Sequence, residues 1–195
     1  MLAPGRVGLT VAGGGGAGQF TINDNNASGR GVGAEARVRV GLPGDQEVGL
    51  GGIAGISLPH TADSVAGGNL SYKIAPRRWL AFVGELGVLD KIVSTTVIFA
   101  GSVAGIVAPY TADNGSQLYM GLKGGLSIPV LQDSSATTEV ISLPVGYSWH
   151  ATERMQLIAE LGIGYGMEQI NSGGTTTPTS GYGGYGLVAF GYTLR

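Results

Sequence analysis

The chain contains no cysteine, which excludes disulfides and thiolate metal sites alike. Its two histidines, His60 and His150, stand far apart in sequence, and no metal centre is expected from them. Charge is scarce as well. Asp, Glu, Lys and Arg make up 12% of the 195 residues, about half of the ~25% typical of a soluble domain. So small a supply can hardly coat a water-facing surface of ordinary polarity. The net charge of -2 leaves no basic footprint, and no nucleic-acid partner is expected. No segment reaches the ~18 uninterrupted apolar residues that a transmembrane helix needs. The 37 glycines argue against helices of any kind, since each costs about 1 kcal/mol inside one. The tract Gly13 to Gly16 lacks the Gly-x-x-x-x-Gly-Lys-Ser/Thr pattern of a phosphate cradle, so no cofactor is expected. Met1-Leu2-Ala3-Pro4 leads straight into strand-like sequence without a secretory signal, as a mature or trimmed exported chain would.

What the chain has instead is alternation. From Val32 to Leu42, the residues Val32, Ala34, Ala36, Val38, Val40 and Leu42 alternate with Gly33, Glu35, Arg37, Arg39 and Gly41. A period of two describes a strand whose two faces meet different surroundings. The pattern returns along the chain, nearly always with glycine on the second face. Hydrophobic residues reach 43% without any helical run. High apolarity carried by alternating strands describes a membrane β-barrel, with lipid outside and a polar lumen inside.

Strand segments and turns can be placed on this basis. Val7, Leu9 and Val11 open the first strand, and a polar loop is expected at 23–29. After the second strand, Leu42-Pro43-Gly44-Asp45 reads as a turn. A third follows at 47–58, a loop at 59–68, and a fourth carrying Leu70, Tyr72 and Ile74. Beyond the turn Ala75-Pro76-Arg77-Arg78 comes a fifth with Leu80, Phe82, Leu86 and Val88 outside. Later faces are Leu118 to Ile128, Ile141 to Trp149, Met155 to Tyr165 and Val188 to Leu194, with a polar loop expected at about 168–180. These segments number nine, and an up-and-down barrel of the bacterial kind needs an even count. The stretch 92–108 supplies a tenth, although Ile92, Ile98 and Ile106 blur its alternation. The expectation is one all-β domain over 1–195, a transmembrane antiparallel up-and-down barrel of ten strands, with eight as the alternative.

The inward faces collect the charge: Arg6, Arg37, Arg39, Lys73 and Lys123 with Glu35, Glu47, Glu85 and Glu160. Opposite charges in a narrow lumen must pair, because an unpaired buried charge costs several kcal/mol. One reading is a structural ion-pair network filling the barrel; the other is a weakly cationic pore lining. Arg78 to Val88 also echoes Gln156 to Ile163, each placing a glutamate on the glycine side. Pro59 to Asp63 echoes Pro109 to Asp113 in the same loose way. Ser148 and His150 share a face, with Glu160 on the facing strand, a set of the types used in acyl transfer. His150 falls at a turn, however, and no catalytic residues are expected. Outward glycines such as Gly52, Gly84 and Gly124 leave flat patches where another protein can pack.

The strand from Arg154 to Tyr165 and the C-terminal strand Gly186 to Arg195 make the chain resemble the small outer-membrane β-barrel proteins of Gram-negative bacteria. The likeness is to the pattern of the OmpA transmembrane domain, OmpX and OmpW. It implies residence in the bacterial outer membrane, with polar loops outside the cell and short turns in the periplasm. It also implies contact with outer-membrane lipid and lipopolysaccharide, handling by the barrel-assembly machinery during insertion, and contact with other envelope proteins. Val188, Phe190, Tyr192 and Leu194 are similar to the C-terminal sorting signal that this machinery reads. Trp79, Tyr147, Trp149 and Tyr192 fit a membrane girdle near the short turns, with Trp79 capping the lumen as its other reading. The expected role is a non-catalytic structural or interaction component of the cell envelope. A small passive pore is the alternative, and a lipid-modifying enzyme the third reading.

Overall fold

The structure, a computed structural model, describes every residue except 23, 24, 59–63, 93–95, 131–133, 173, 174 and 195. Ten strands follow one another: β1 Val7–Ile22, β2 Asn25–Leu42, β3 Gln46–Leu58, β4 Val65–Arg77, β5 Leu80–Lys91, β6 Val97–Thr111, β7 Gln117–Val130, β8 Ser134–His150, β9 Met155–Ser172 and β10 Thr175–Thr193. Each pairs antiparallel with its sequence neighbour, and β1 pairs with β10 to close the barrel. The all-β, ten-stranded, up-and-down fold expected from the sequence is what forms.

Register fixes the dimensions. Stepping from Gly8 across the ladder meets Arg39, Gly49, Ser71, Glu85, Ser102, Gly125, Val140, Gly166 and Gly181 in turn. The circuit re-enters β1 at Phe20, twelve residues beyond Gly8. A stagger of twelve over ten strands gives a tilt of about 40° and a backbone radius of about 10 Å. Strand spacing and rise per residue leave no freedom in either value once the register closes.

Two expected loops are strand instead. Asn25 to Gly29 belongs to β2, where Asn26 pairs with Thr21 and Ser28 with Gln19. The stretch expected as a loop at about 168–180 is the end of β9 and the start of β10, with Glu168 opposite Thr179. Both faces of these segments are polar, so they carry no period-two signal although the backbone pairing continues. The wall β8–β9–β10–β1–β2 therefore stands taller than β3–β7. The expected loop at 59–68 is shorter too, since β4 starts at Val65; Pro59 to Asp63, with His60, lies outside the described residues. The tenth strand is β6, displaced towards the C-terminus of the expected 92–108.

Outside, the barrel is apolar. Leu50 is 68% exposed, Leu86 68%, Val103 70%, Leu161 71% and Ile163 67%, values that would be ruinous in water and are ordinary in hydrocarbon. Among the described residues the charged outward-facing strand positions lie at the two ends, Arg77 at the short-turn rim and Arg30, Asp90 and Glu139 near the loop end. On β10 the span from Tyr192 to Tyr182 rises about 25 Å along the axis at this tilt, the height of a bilayer-facing band. The surface is that of a transmembrane barrel.

Candidate functional site

The lumen is built from the residues opposite to that belt, and it has three levels. Nearest the loop end lies a hollow of about 880 Å³. Its wall is largely glycine, including Gly14, Gly16, Gly18, Gly31, Gly33, Gly164, Gly166, Gly181 and Gly183, and it reaches down to Ala12, Glu35 and Leu187. A glycine face gives the strands no side chains to send inwards, so space remains where a larger residue would fill it.

Below this hollow stand two glutamate hubs. Glu85 Oε1 takes the Arg37 Nη2 guanidinium at 2.6 Å, while its Oε2 accepts from Lys123 Nζ at 3.3 Å and Ser102 Oγ at 3.3 Å. Arg37 Nε also donates to Glu35 Oε1 at 2.7 Å, and Asn69 Nδ2 donates to the same oxygen at 3.0 Å. β2 and β5 are thereby joined across the lumen rather than through the sheet. The second hub is Glu160, which accepts from Tyr119 Oη at 2.8 Å and Tyr185 Oη at 3.0 Å. The sequence echo between 78–88 and 156–163 thus corresponds to the two carboxylates that tie the lumen together.

Both tyrosines lie flat over glycines of the neighbouring strand. A Cβ at Gly146 would sit 2.4 Å from the Tyr119 ring, and one at Gly162 would sit 2.3 Å from Tyr185. Gly162→Val is expected to lift Tyr185 off its seat and release its hydroxyl from Glu160. The loss of a charge-assisted hydrogen bond and of ring packing should cost about 2–3 kcal/mol. Near-UV circular dichroism and a denaturant midpoint in detergent will measure it, and an unchanged aromatic signal would contradict the geometry.

The lowest level closes the short-turn end. Arg39 Nη1 pairs with Glu47 Oε1 at 3.0 Å, Lys73 stands beside Glu47 in the ladder, and Leu2 N–H donates to Glu47 Oε2 at 3.2 Å. The Leu2 side chain is buried against Gly8. Gly5 N–H and Gly41 carbonyl close the segment onto β2 at 2.9 Å.

Eight of the nine expected lumen charges, Glu35, Arg37, Arg39, Glu47, Lys73, Glu85, Lys123 and Glu160, meet at these two lower levels. Arg6 does not join them: it is exposed at the short-turn rim. Tyr119, Tyr185, Asn69 and Ser102 were not among the expected site residues, although inward parity marks each of them. Ser148, His150 and Glu160 do not assemble. Ser148 Oγ accepts from Gln156 Nε2 at 2.6 Å, Glu160 is held by the two tyrosines, and His150 stands at the rim, where its backbone N–H donates to Ser116 Oγ at 3.0 Å.

On the outer face Tyr147 and Trp149 end β8 at the short-turn rim, 43% and 48% exposed, and Tyr192 ends β10 beside them in height. Trp79 sits in the β4–β5 turn, more than half exposed. Tyr165 and Tyr182 mark the opposite boundary, which the sequence pattern did not single out. Val188, Phe190 and Tyr192 share the outward face of β10, and Leu194 follows the strand, its N–H bonded to the Val7 carbonyl at 2.7 Å.

No family model matches the chain, and no curated protein matches it. Among solved structures it is similar to the outer-membrane protease OmpT of Escherichia coli, at 8% identity over 100% of this chain and 99% of that one, with a TM-score of 0.45. It is similar to the translocator domain of the autotransporter NalP of Neisseria meningitidis, at 10% identity over 98% and 89%, TM-score 0.48. The outer-membrane protein OprG of Pseudomonas aeruginosa is a third, at 9% identity over 99% and 98%, TM-score 0.43. At such identities no activity transfers from any of them.

Proposed function

We propose that the chain is a small bacterial outer-membrane barrel, of the kind that the OmpA transmembrane domain, OmpX and OmpW exemplify, and that it serves as a non-catalytic structural or interaction component of the envelope. The observation that carries the reading is the cross-braced middle of the lumen. Arg37, Arg39, Lys73 and Lys123 face Glu35, Glu47, Glu85 and Glu160, so these four cations and four carboxylates offset one another. Carboxylates tied to cations and tyrosines from opposite walls act as a brace, which supports rigidity rather than conduction. The non-catalytic part of the reading is supported by the separate engagements of Ser148, His150 and Glu160. Its minimum test is whether Ser148→Ala alters any hydrolysis of membrane lipid.

A passive pore is the second reading, favoured by the glycine-walled hollow above the hubs. The discriminating experiment is single-channel recording of refolded protein in a planar bilayer, with heat-dependent gel mobility to show that it is folded. A folded and silent barrel is the expected result. Reproducible current steps would sink the braced reading and make Arg37, Arg39 and Lys123 pore-lining residues.

A further inference from the structure

A second hollow, of about 950 Å³, lies on the outer face of the tall wall. Its lining follows the ladder across six strands. Leu143 pairs with Ile163, Ile163 with Gly184, Gly184 with Ala17, Ala17 with Arg30 and Arg30 with Leu58. These positions have the outward parity, and the inward-parity residues that join them, Gly18, Gly29, Gly164 and Gly183, are all glycines. Ile163, 67% exposed, stands at one end, Tyr182, 65% exposed, stands on the loop side of Gly184, and the floor between Ile163 and Arg30 is glycine and alanine. The barrel stagger inclines this row. It rises about 3 Å per strand, so Arg30 stands about 12 Å nearer the loop end than Leu143.

The groove therefore begins in the apolar belt and ends at its polar boundary. Arg30 is exposed there, its guanidinium has no hydrogen-bond or ion-pair partner among the described residues, and it is the one charged residue in the lining. Ser28, Gln19 and the Tyr182 hydroxyl, bonded to Gln19 Oε1 at 2.9 Å, surround it with further polar atoms. Among the described residues the outward acid on this wall, Glu139, lies above Ile141 at the other side of the row and does not line the hollow. A protein helix would meet a lone cation at its edge. A lipid would satisfy both ends at once, a phosphate on the guanidinium and an acyl chain along Ala17, Gly184 and Ile163.

We infer that this groove is a binding site for a phosphate-bearing membrane lipid, headgroup at Arg30 and acyl chain on the small-residue floor. The inference rests on the membrane reading above and adds to it a specific site. Refolded protein is to be mixed with vesicles of phosphatidylglycerol and phosphatidylcholine in equal parts, extracted in mild detergent, and weighed with its retained lipid by native mass spectrometry. Wild type is expected to retain the phosphatidylglycerol at least fivefold over an Arg30→Gln variant. Gly184→Leu is expected to lose retention similarly, because a Cβ there has room, the nearest atom being Gly162 O at 3.4 Å, and the added side chain stands in the groove. Arg77→Gln, at the opposite rim, should retain lipid as wild type does. Equal retention by wild type and Arg30→Gln, or undiminished retention by Gly184→Leu, overturns the site. Failure of wild type to float with these vesicles would instead overturn the membrane reading.

Discussion

Replacing Glu85 by alanine is expected to be the most damaging single change to a lumen side chain. Glu85 alone holds Arg37 at 2.6 Å and Lys123 at 3.3 Å. Its side chain is 22% exposed and that of Arg37 16%, while Lys123 is 42% exposed. Removing the carboxylate leaves Arg37 with Glu35 alone and Lys123 with no ion pair among the described residues. Breaking a buried pair costs about 3–5 kcal/mol, and the exposure of Lys123 places this case near the lower end, about 3 kcal/mol. Glu85→Gln should recover part of the loss, since an amide oxygen still accepts from Arg37. Guanidinium unfolding in detergent, followed by tryptophan fluorescence, measures both variants. A loss below about 0.5 kcal/mol would mean that water already solvates the two cations, in the manner of exposed pairs. It would favour the open pore.

The second large effect is expected at Gly67. A Cβ there would stand 2.0 Å from the Val88 carbonyl oxygen and 2.7 Å from Leu89 Cα. Both are backbone atoms of the paired strand, and neither can yield without breaking the β4–β5 ladder. Gly67→Val should therefore fail to reach the compact, heat-shifting form on a gel. Gly84 is the control on the adjoining strand: an added Cβ there meets nothing within 4 Å. Gly84→Val should fold as wild type does, and strand propensity favours valine over glycine by several tenths of a kcal/mol. Equal folding yields for the two variants would show that the close approach at Gly67 is not needed. The contrast also separates two uses of glycine in this chain. Inside, at Gly67, Gly146 and Gly162, it admits a neighbouring backbone or ring; outside, at Gly84 and Gly124, it leaves the surface low.

Alternation in sequence carried most of the fold. The strand from Val32 to Leu42 announces an apolar face and a charged one because side chains alternate strictly across a sheet, and the shortage of charge says which solvent the apolar face meets. Parity also placed Glu85 and Glu160 inside, and an even strand count followed from closure. The pattern failed where both faces touch the same medium. At 25–29 and 175–180 water lies on both sides, so polar residues mimic loops while the ladder continues.

What tertiary structure alone decided is who meets whom across the lumen. Arg37 and Glu85 are three strands apart around the wall, and their contact depends on a stagger of twelve residues accumulated over ten ladders. No local signal encodes that sum. A shift of two residues in one ladder would keep every side chain on its proper face and yet separate one hub from a partner. The same holds for the tyrosines seated on Gly146 and Gly162, and for the inclined row that brings Arg30 to the end of an apolar groove. Local chemistry determined the faces of each strand, and closure of the barrel determined which residues on those faces could work together.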